Sequence, residues 1–481
     1  MACKCGKNKD CKCSELLYIM NPGCGWCKKS DPVVEELIKD GYKITTLDIR
    51  NADDSKKAKE VQAKYNVQCG TPLFIDARTG NMACGFREKD VLEKDVLEKW
   101  AKGEKMPAPP PRKQQGQDDK PKNQIVHAKL EYIWLDGNSP KQMRSKTLFN
   151  VMNMTGVRNE NDILSKIPTS TFDGSSTNQA DAEDSDLIIR PVRIIPNVTE
   201  RASENTASYY VLCEVLNPDM TPHESNTRAI LEESSEKNKE HGMFFGIEQE
   251  YVVFDENTKL PVGWDSYEDN QPEPQGNYYC GVGGCNVKLR DLSNEHAMVC
   301  NSMRIPIAGT NAEVMLSQWE YQLQPTPALI AADNLWLSRY ILHKMSEKLN
   351  LSISFDPKPI TGDWNGSGAH INFSTKETRK NPDPALMNIL CSSMAEHHKD
   401  AISHYGEGNE KRLSGNHETS SIDEFTWGES DRTVSVRIPL NGLKMGYLED
   451  RRPAANMDPY EACNHLLNVV CEITKDVLVT T

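Results

Sequence analysis

Apolar residues in the first hundred positions switch repeatedly between two periods. "ELLYIM", "KITTLDI" and "PLFID" are short apolar runs of strand length, whereas "CKKSDPVVEELIKD" and "SKKAKEVQAKY" space their apolar residues as a helix does. "NMACGF" and "KDVLEKDVLEKWAKG" then read as a hairpin and a closing helix. Alternating strands and helices predict a small α/β sheet over residues 14–103. The pattern stops in residues 104–124, "EKMPAPPPRKQQGQDDKPKNQ", which hold five prolines, many charges and no apolar period. Such a stretch cannot bury a core and is expected to be an extended tether.

Beyond it, "HAKLEYIWLDG", "SDLIIRPVRII" and "ASYYVLCEVL" are strand-like with few helices between them, which predicts a small β-rich domain over residues 125–223. From "SNTRAILEESSEKNKEHG" onward helices and strands mix through residues 224–481. The long apolar helix "AADNLWLSRYILHKMSEKLN" and a final helix "YEACNHLLNVVCEITKDVLV" fall in this part. The expected class is a multidomain chain, α/β followed by α+β, without internal repeats.

One predicted strand breaks the rule. In "FFGIEQEYVVF", residues 244–254, Glu248 and Glu250 interrupt an apolar run, and residues two apart on a strand point the same way. Two carboxylates beside an apolar run repel each other and lose hydration at a cost of several kcal/mol each unless compensated. A bound cation is one compensator; a half-exposed strand with an acidic outer face is the other reading of this stretch alone.

Composition narrows the choices. The chain has 481 residues, 37% of them hydrophobic, enough for two or three cores. A formal charge of −14 argues against a nucleic-acid surface and requires local Arg, Lys or metal wherever phosphate is held. No run of 18 apolar residues occurs, so no membrane span is expected, and "MACKCGKNKDCKC" lacks the apolar core of a signal peptide, so a cytoplasmic location is expected. Cys3, Cys5, Cys11 and Cys13 of a Cys-rich tail, residues 1–13, form two C-x-C pairs. Four thiolates could close a tetrahedral zinc or copper site, although terminal segments are often disordered.

Cys24 and Cys27 stand between a predicted strand and a predicted helix. The macrodipole and free N–H groups of a helix N-terminus stabilise a thiolate and make the thiol reactive. Pro72, just ahead of "LFID", suits a cis peptide bond. Strand, C-x-x-C, helix and then Thr-Pro-strand resembles the thioredoxin and glutaredoxin family over residues 14–103. The resemblance implies a redox dithiol of Cys24 and Cys27 facing Pro72, and a thiol reductant as partner. Zinc binding or a structural role for the two cysteines is the alternative, and Cys69 is either a third redox thiol or an inert core residue.

Acids, arginines and one histidine recur through the last part. "GTNAEVMLSQWEYQ" adds Glu313 and Glu320, "GDWNGSGAHINFST" presents His370 behind a glycine-rich turn, "RLSGNHETSSIDEFTWGESDRTVSVRIP" carries Arg412, Glu418, Arg432 and Arg437, and "GYLEDRRPAAN" brings Tyr447, Glu449, Arg451 and Arg452. Glutamates with one histidine suit Mg2+ or Mn2+, and interspersed arginines suit phosphate and carboxylate, so the mixture points to metal-assisted phosphoryl transfer.

These stretches, with "FDGSSTNQA", "DSDLIIRPV", "PHESNTR", "FGIEQEYVVFD" and "QGNYYCGVG" in the same order, resemble glutamine synthetase of the eukaryotic type from about residue 126 to 481. The resemblance implies a β-grasp domain and a catalytic α+β domain, and a ligase joining ammonium to glutamate through γ-glutamyl phosphate with ATP as cosubstrate. It implies two or more Mg2+ or Mn2+ ions, one held by Glu250, Glu313 and Glu320 and another by Glu248, His370 and Glu449. By the same resemblance Arg437 and Arg451 neutralise the transferred phosphoryl group, and Trp364, Asn365, Gly366, Arg412 and Arg432 grip glutamate. Asp173 and Glu418 handle ammonium and its proton, and Phe244, Asn372, Ser374, Arg379 and Tyr447 contact the nucleotide. Phe244 departs from the Trp usual at its position. Two stacked pentameric rings are implied, each active site lying between neighbouring subunits. Two other functions stay open: a γ-glutamyl ligase for a larger amine, and a disulfide reductase carrying an inactive ligase scaffold. If the dithiol serves the ligase, Cys213, Cys280, Cys285 and Cys300 are candidate partners.

Overall fold

The computed structural model describes residues 16–65, 67, 70–77, 79–84, 94–104, 124–200, 203, 205–266, 271–274 and 276–480. Cys3, Cys5, Cys11, Cys13, Cys69 and nearly all of the predicted tether lie outside the described residues. The chain divides into two compact units, residues 1–120 and 121–481.

In the first unit β1 (Leu16–Met20), α1 (Gly25–Lys39), β2 (Ile44–Asp48), α2 (Ala52–Lys64), β3 (Leu73–Asp76), β4 (Met82–Cys84) and α3 (Lys94–Ala101) follow one another. The sheet order is β2-β1-β3-β4, with β1 parallel to β2 and antiparallel to β3. Both faces of β1 are buried because its alternate residues serve two cores. Leu16 and Tyr18 pack with Leu37, Phe74 and Trp100, while Leu17 and Ile19 pack with Leu47, Ala58 and Ile75. Asn51 fixes the start of α2 by accepting from the N–H groups of Asp53 and Asp54, whose carboxylates suit the helix N-terminus.

The second unit begins with β5 (Ile125–Leu135), β6 (Met143–Asn153), the short α4 (Glu160–Leu164), β7 (Ser170–Asp173), β8 (Asp186–Pro196) and β9 (Thr206–Leu216). Five strands form one sheet in the order β6-β5-β9-β8-β7, with β5 and β9 parallel at its centre. Sequence patterning found β5, β8 and β9, whose residues fill the core. It missed β6, whose side chains are almost all exposed or half-buried and therefore carry little apolar signal.

There follow α5 (Thr227–Lys237), β10 (Phe244–Asp255), α6 (Arg290–Ser302), β11 (Ile307–Ala312), β12 (Gln318–Pro327), α7 (Ala328–Glu347), β13 (Leu351–Ser354) and β14 (Ala369–Ser374). After them come α8 (Lys376–Lys380), α9 (Pro384–Met394), α10 (His398–Ser403), β15 (Trp427–Glu429), β16 (Val436–Ile438), α11 (Gly442–Met445), β17 (Leu448–Asp450) and α12 (Pro459–Thr480). Their eight strands run β11-β12-β10-β14-β17-β16-β15, with β13 added beside β10. The helix α7 is apolar almost all round and accordingly buried, sharing one core with α12 and with Ile247, Tyr251 and Val253 of β10. No helix among the described residues is long and apolar enough to cross a membrane.

Candidate active site

β10 is a central strand, paired with β12 on one side and β14 on the other. Its register sets Glu250 opposite Glu320 of β12 and Glu248 opposite His370 of β14. One strand further, Asn372 stands opposite Glu449 of β17, and Glu449 opposite Arg437 of β16. Because side chains alternate, this register gathers Glu248, Glu250, Glu320, His370, Glu449 and Arg437 on a single face. The opposite face carries Ile247 and Tyr251 into the core. Glu313 joins from the turn between β11 and β12, where its N–H donates to the Gln318 carbonyl at 2.9 Å.

Glu248, Glu250, Glu313, Glu320, His370 and Arg437 line a cleft of about 550 Å³, with Asn365, Gly366, Arg412, Glu418, Arg432 and Arg451 around it and Glu449 buried behind the lining. Glu250 accepts from Gln318 Nε2 and from the Gly368 N–H, both at 3.0 Å. Glu248 accepts from Asn372 Nδ2 at 2.7 Å. The His370 Nδ1 atom is 3.5 Å from Glu248 and 3.6 Å from Glu449, and one donor atom from each of these three lies within 4.8 Å of the others. Fully buried Glu449 also accepts from Arg437 Nε at 2.5 Å and Arg451 Nη1 at 2.7 Å. Arg412, buried, donates to His370 Nε2 at 3.0 Å.

Burial and mutual repulsion shape the electrostatics. Burial first, then the neighbouring Glu250 charge, pushes the Glu313 carboxyl up to about 8. Burial and the charges of Glu248, Glu313 and Glu250 drive Glu320 well above the carboxylate range, and burial raises Glu250 as well. Burial, then Arg451 and Arg412, hold His370 far below the ordinary histidine range, which favours a neutral ring. Three oxygen donors crowded at one end, and two carboxylates with a neutral imidazole at the other, are the donor chemistry of Mg2+ or Mn2+. The donor atoms of Glu248, His370 and Glu449 lie close enough together to fit a hard divalent ion.

Backbone geometry is unusual at two residues of the cleft lining. His417 and Glu418 have φ of 53° and 61°, a left-handed pair of non-glycine residues that costs of order 1–3 kcal/mol each unless the surroundings enforce it. The Glu418 carbonyl accepts from Arg451 Nη2 at 3.3 Å. Gly366 is obligatory, since a Cβ there would lie 2.4 Å from the Pro357 carbonyl oxygen.

A second cluster lies up the same strands. Phe244 pairs with Ser374, and the Arg379 guanidinium lies 4.3 Å from the Phe244 ring centroid while donating to Ser374 Oγ at 2.9 Å. One face of Phe244 is thus covered by Arg379. Four residues separate Phe244 from Glu248, about 14 Å along a strand. Tyr447 stands near the start of β17, close enough to Glu449 for that charge to add to burial in raising its phenol.

Two expected residues sit elsewhere. Trp364 packs into the core against Trp264, ring centroids 4.7 Å apart, and does not line the cleft. Asp173, at the end of β7, is exposed and also outside the cleft lining. Its carboxylate accepts from Ser176 Oγ at 2.6 Å and Ser175 Oγ at 2.7 Å, and these bonds hold it down to about 2. Sequence reasoning passed over Gln318, Gln322, Asn311 and Tyr279. The first two alternate with Glu320 along β12, so period-two spacing was a usable signal for them.

In the first unit Cys24 occupies the N-cap of α1 and its Sγ is 3.5 Å from the Thr71 carbonyl oxygen. Thr71–Pro72 is a cis peptide. Cys27 is buried one turn into the helix, receives the Asn21 N–H at 3.4 Å, and is raised by burial first and by Cys24. At Cys27 burial outweighs the stabilisation that the Asn21 N–H and Thr71 give its thiolate. No disulfide joins the two cysteines. In the larger unit Cys213 and Cys300 are buried, and Cys280 and Cys285 are exposed.

Residues 224–399 match the family described as "Glutamine synthetase, catalytic domain". Over 334 residues the chain is 44% identical to a glutamine synthetase of Neurospora crassa, covering 69% of this chain and 88% of that protein. It is 42% identical over 348 residues to one of Streptomyces viridochromogenes, covering 71% and 96%, and 43% identical over 344 residues to one of Frankia alni, covering 71% and 92%. Shared identity at this level over nearly the full length of these relatives, together with the acidic cleft, means that the chain belongs to the glutamine synthetase family.

Proposed function

We propose that the cleft forms glutamine from glutamate and ammonium at the expense of ATP. The observation that carries this reading is the single-face convergence of Glu248, Glu250, Glu320, His370 and Glu449, with Glu313, Arg437 and Arg451 beside them. Glu250, Glu313 and Glu320 would hold one divalent ion, and Glu248, His370 and Glu449 a second. Ions held by these residues would supply positive charge to offset the negative charge of the phosphates during transfer.

The remaining work falls to the chain's own side chains. Arg412, Arg432, Asn365 and the close-packed Gly366 backbone orient glutamate so that its γ-carboxylate oxygen attacks the γ-phosphorus of ATP and ADP leaves. Trp364 supports this wall from the core. Arg437 and Arg451, each anchored by Glu449, stabilise charge on the phosphoryl group in transfer, which is where most acceleration of such reactions arises. Phe244, Asn372, Ser374, Arg379 and Tyr447 hold the nucleotide end. Glu418 attracts ammonium and takes its proton, freeing the lone pair that attacks the γ-glutamyl phosphate carbonyl and expels phosphate.

Asp173 belongs to the same step in a neighbouring subunit. It is exposed and strongly ionised yet lies outside its own subunit's cleft, which suits a ring assembly, two stacked pentamers, with shared sites. The first unit is proposed as a thioredoxin-like module, a reading supported by the β2-β1-β3-β4 order, the helix-capping Cys24, buried Cys27 and cis Pro72. Exposed Cys280 and Cys285 are the thiols in the larger unit it would keep reduced, at the expense of a thiol reductant.

Phosphate release from ATP and Mg2+ by the purified chain tests the ligase reading. Release that requires glutamate and ammonium together supports it, release only with a larger amine reassigns the substrate, and none in either case overturns it. Mixing an Asp173→Asn chain with a Glu250→Gln chain tests shared sites: co-assembly restores activity if Asp173 serves a neighbour.

A further inference from the structure

Away from the acidic cleft, α10 and α12 bring three metal-ligating side chains together. Asp400 lies on α10, His404 immediately follows that helix, and His465 lies on α12. One donor atom of each lies within 4.8 Å of the other two. The Asp400 carboxylate faces both rings, 3.2 Å from His465 Nδ1 and 4.0 Å from His404 Nε2. The two imidazoles stack with centroids 5.2 Å apart and planes at 29°.

We propose that Asp400, His404 and His465 form a separate site for a borderline divalent transition metal such as zinc or cobalt. Zinc binds His nitrogen and carboxylate oxygen at about 2.0–2.2 Å, so donor atoms around a tetrahedral ion lie roughly 3.3–3.5 Å apart. The distances of 3.2 and 4.0 Å bracket that spacing, and the mobile member is the exposed one: the Asp400 side chain is 69% exposed and that of His465 only 6%. A rotation of Asp400 closes the site. Asp400 and His404, four residues apart, share one helix face, and His465 is supplied by another element, which is how two helices chelate one ion.

The buried ligand is held in place by the core. Its ring meets Tyr405 edge-on at 6.0 Å, and the Tyr405 hydroxyl donates to Asp450 Oδ2 at 2.8 Å. His404 and Asp400 open toward solvent, which provides an entry path and room for a water as fourth ligand. Two imidazoles and one carboxylate are softer than the carboxylate-rich cleft, so the two sites select different metals: Mg2+ or Mn2+ in the cleft, zinc or cobalt here.

The test is a Co2+ titration of the full-length protein in saturating Mg2+, read by visible absorption. Four- or five-coordinate cobalt with imidazole ligands absorbs far more strongly than six-coordinate cobalt with oxygen ligands, and tail thiolates announce themselves by sulfur charge-transfer bands. The proposal expects an imidazole-type visible band that saturates at one Co2+ per chain and is displaced by Zn2+. His404→Ala should abolish it, and Asp400→Asn should weaken binding by more than the roughly 10–100-fold typical of losing an outer-shell partner. Both variants alter solvent-facing side chains, and unchanged Mg2+-supported turnover confirms that they fold. The same band and stoichiometry in both variants, or a wild-type protein showing thiolate bands alone, overturns the site.

Discussion

Cys24 and Cys27 are set by one strand-to-helix junction, whereas the acidic cleft takes Glu248 from β10, His370 from β14 and Glu449 from β17, spread over some two hundred residues. Both places bury groups that prefer to be neutral. Burial raises the Cys27 thiol, and burial together with neighbouring carboxylates raises Glu313 and Glu320, a cost that a bound cation would offset. A local motif can be self-sufficient, while a cleft assembled by strand register is stable only together with the rest of its sheet and the charge it awaits.

The largest expected effects would break this contrast if they crossed over. Glu250→Ala should lower glutamine formation by at least roughly 10²–10³-fold, the scale for losing one preorganised electrostatic group, with dithiol-dependent disulfide reduction unchanged. Chelation of divalent ions should do the same reversibly. Cys24→Ser should abolish disulfide reduction and leave ligase turnover under reducing conditions within about twofold of wild type, since neither cysteine lies in the cleft lining. Parallel assays of phosphate release and insulin reduction check both. Loss of ligase turnover in reduced Cys24→Ser would mean that the two chemistries are not separable.

Next in size is a stability effect confined to the larger unit. Asp450 follows Glu449 on β17, is fully buried, and accepts from Arg452 at 2.9 and 2.6 Å and from Tyr405 at 2.8 Å. Arg452→Ala strands that carboxylate and should cost about 3–5 kcal/mol, seen as a lowered denaturant midpoint for the larger unit alone. Arg452→Met with Asp450→Leu should recover much of it, because the pair's attraction does little more than offset its own desolvation.

What the sequence made legible follows the same division. Cys24, Cys27 and Pro72 were found from spacing, since helix start and strand are within reach of one another along the chain. Glu248 and Glu250 were suspect from alternation alone, but nothing in spacing sets His370 opposite Glu248 or Glu449 beside Asn372; only strand order does, and resemblance to a known family supplied it. Strand β6 escaped because an edge strand with few buried residues has no apolar period to read. The inward turn of Trp364 was equally illegible, being decided by its fit against Trp264 and not by its neighbours in sequence.

The smallest expected effect concerns Asp173, which differs from Glu250, Glu313 and Glu320 in being lowered where they are raised. Hydrogen bonds from Ser176 and then Ser175 hold it at about 2, below the roughly 3.9 of an unfolded Asp. A depressed carboxylate contributes stability above its unfolded value and loses it as pH falls through the folded one. The stability difference between wild type and Asp173→Asn should therefore be flat above about pH 5 and shrink between about pH 4 and 2. Ser176→Ala should move that window upward, because the bond that lowers Asp173 most is gone. Acid unfolding followed by circular dichroism measures it, and solvent exposure keeps the amplitude small. A difference that instead grows on acidification would mean that Asp173 is protonated more readily than its hydroxyl partners allow, and would remove it from any role that needs a permanent charge facing ammonium.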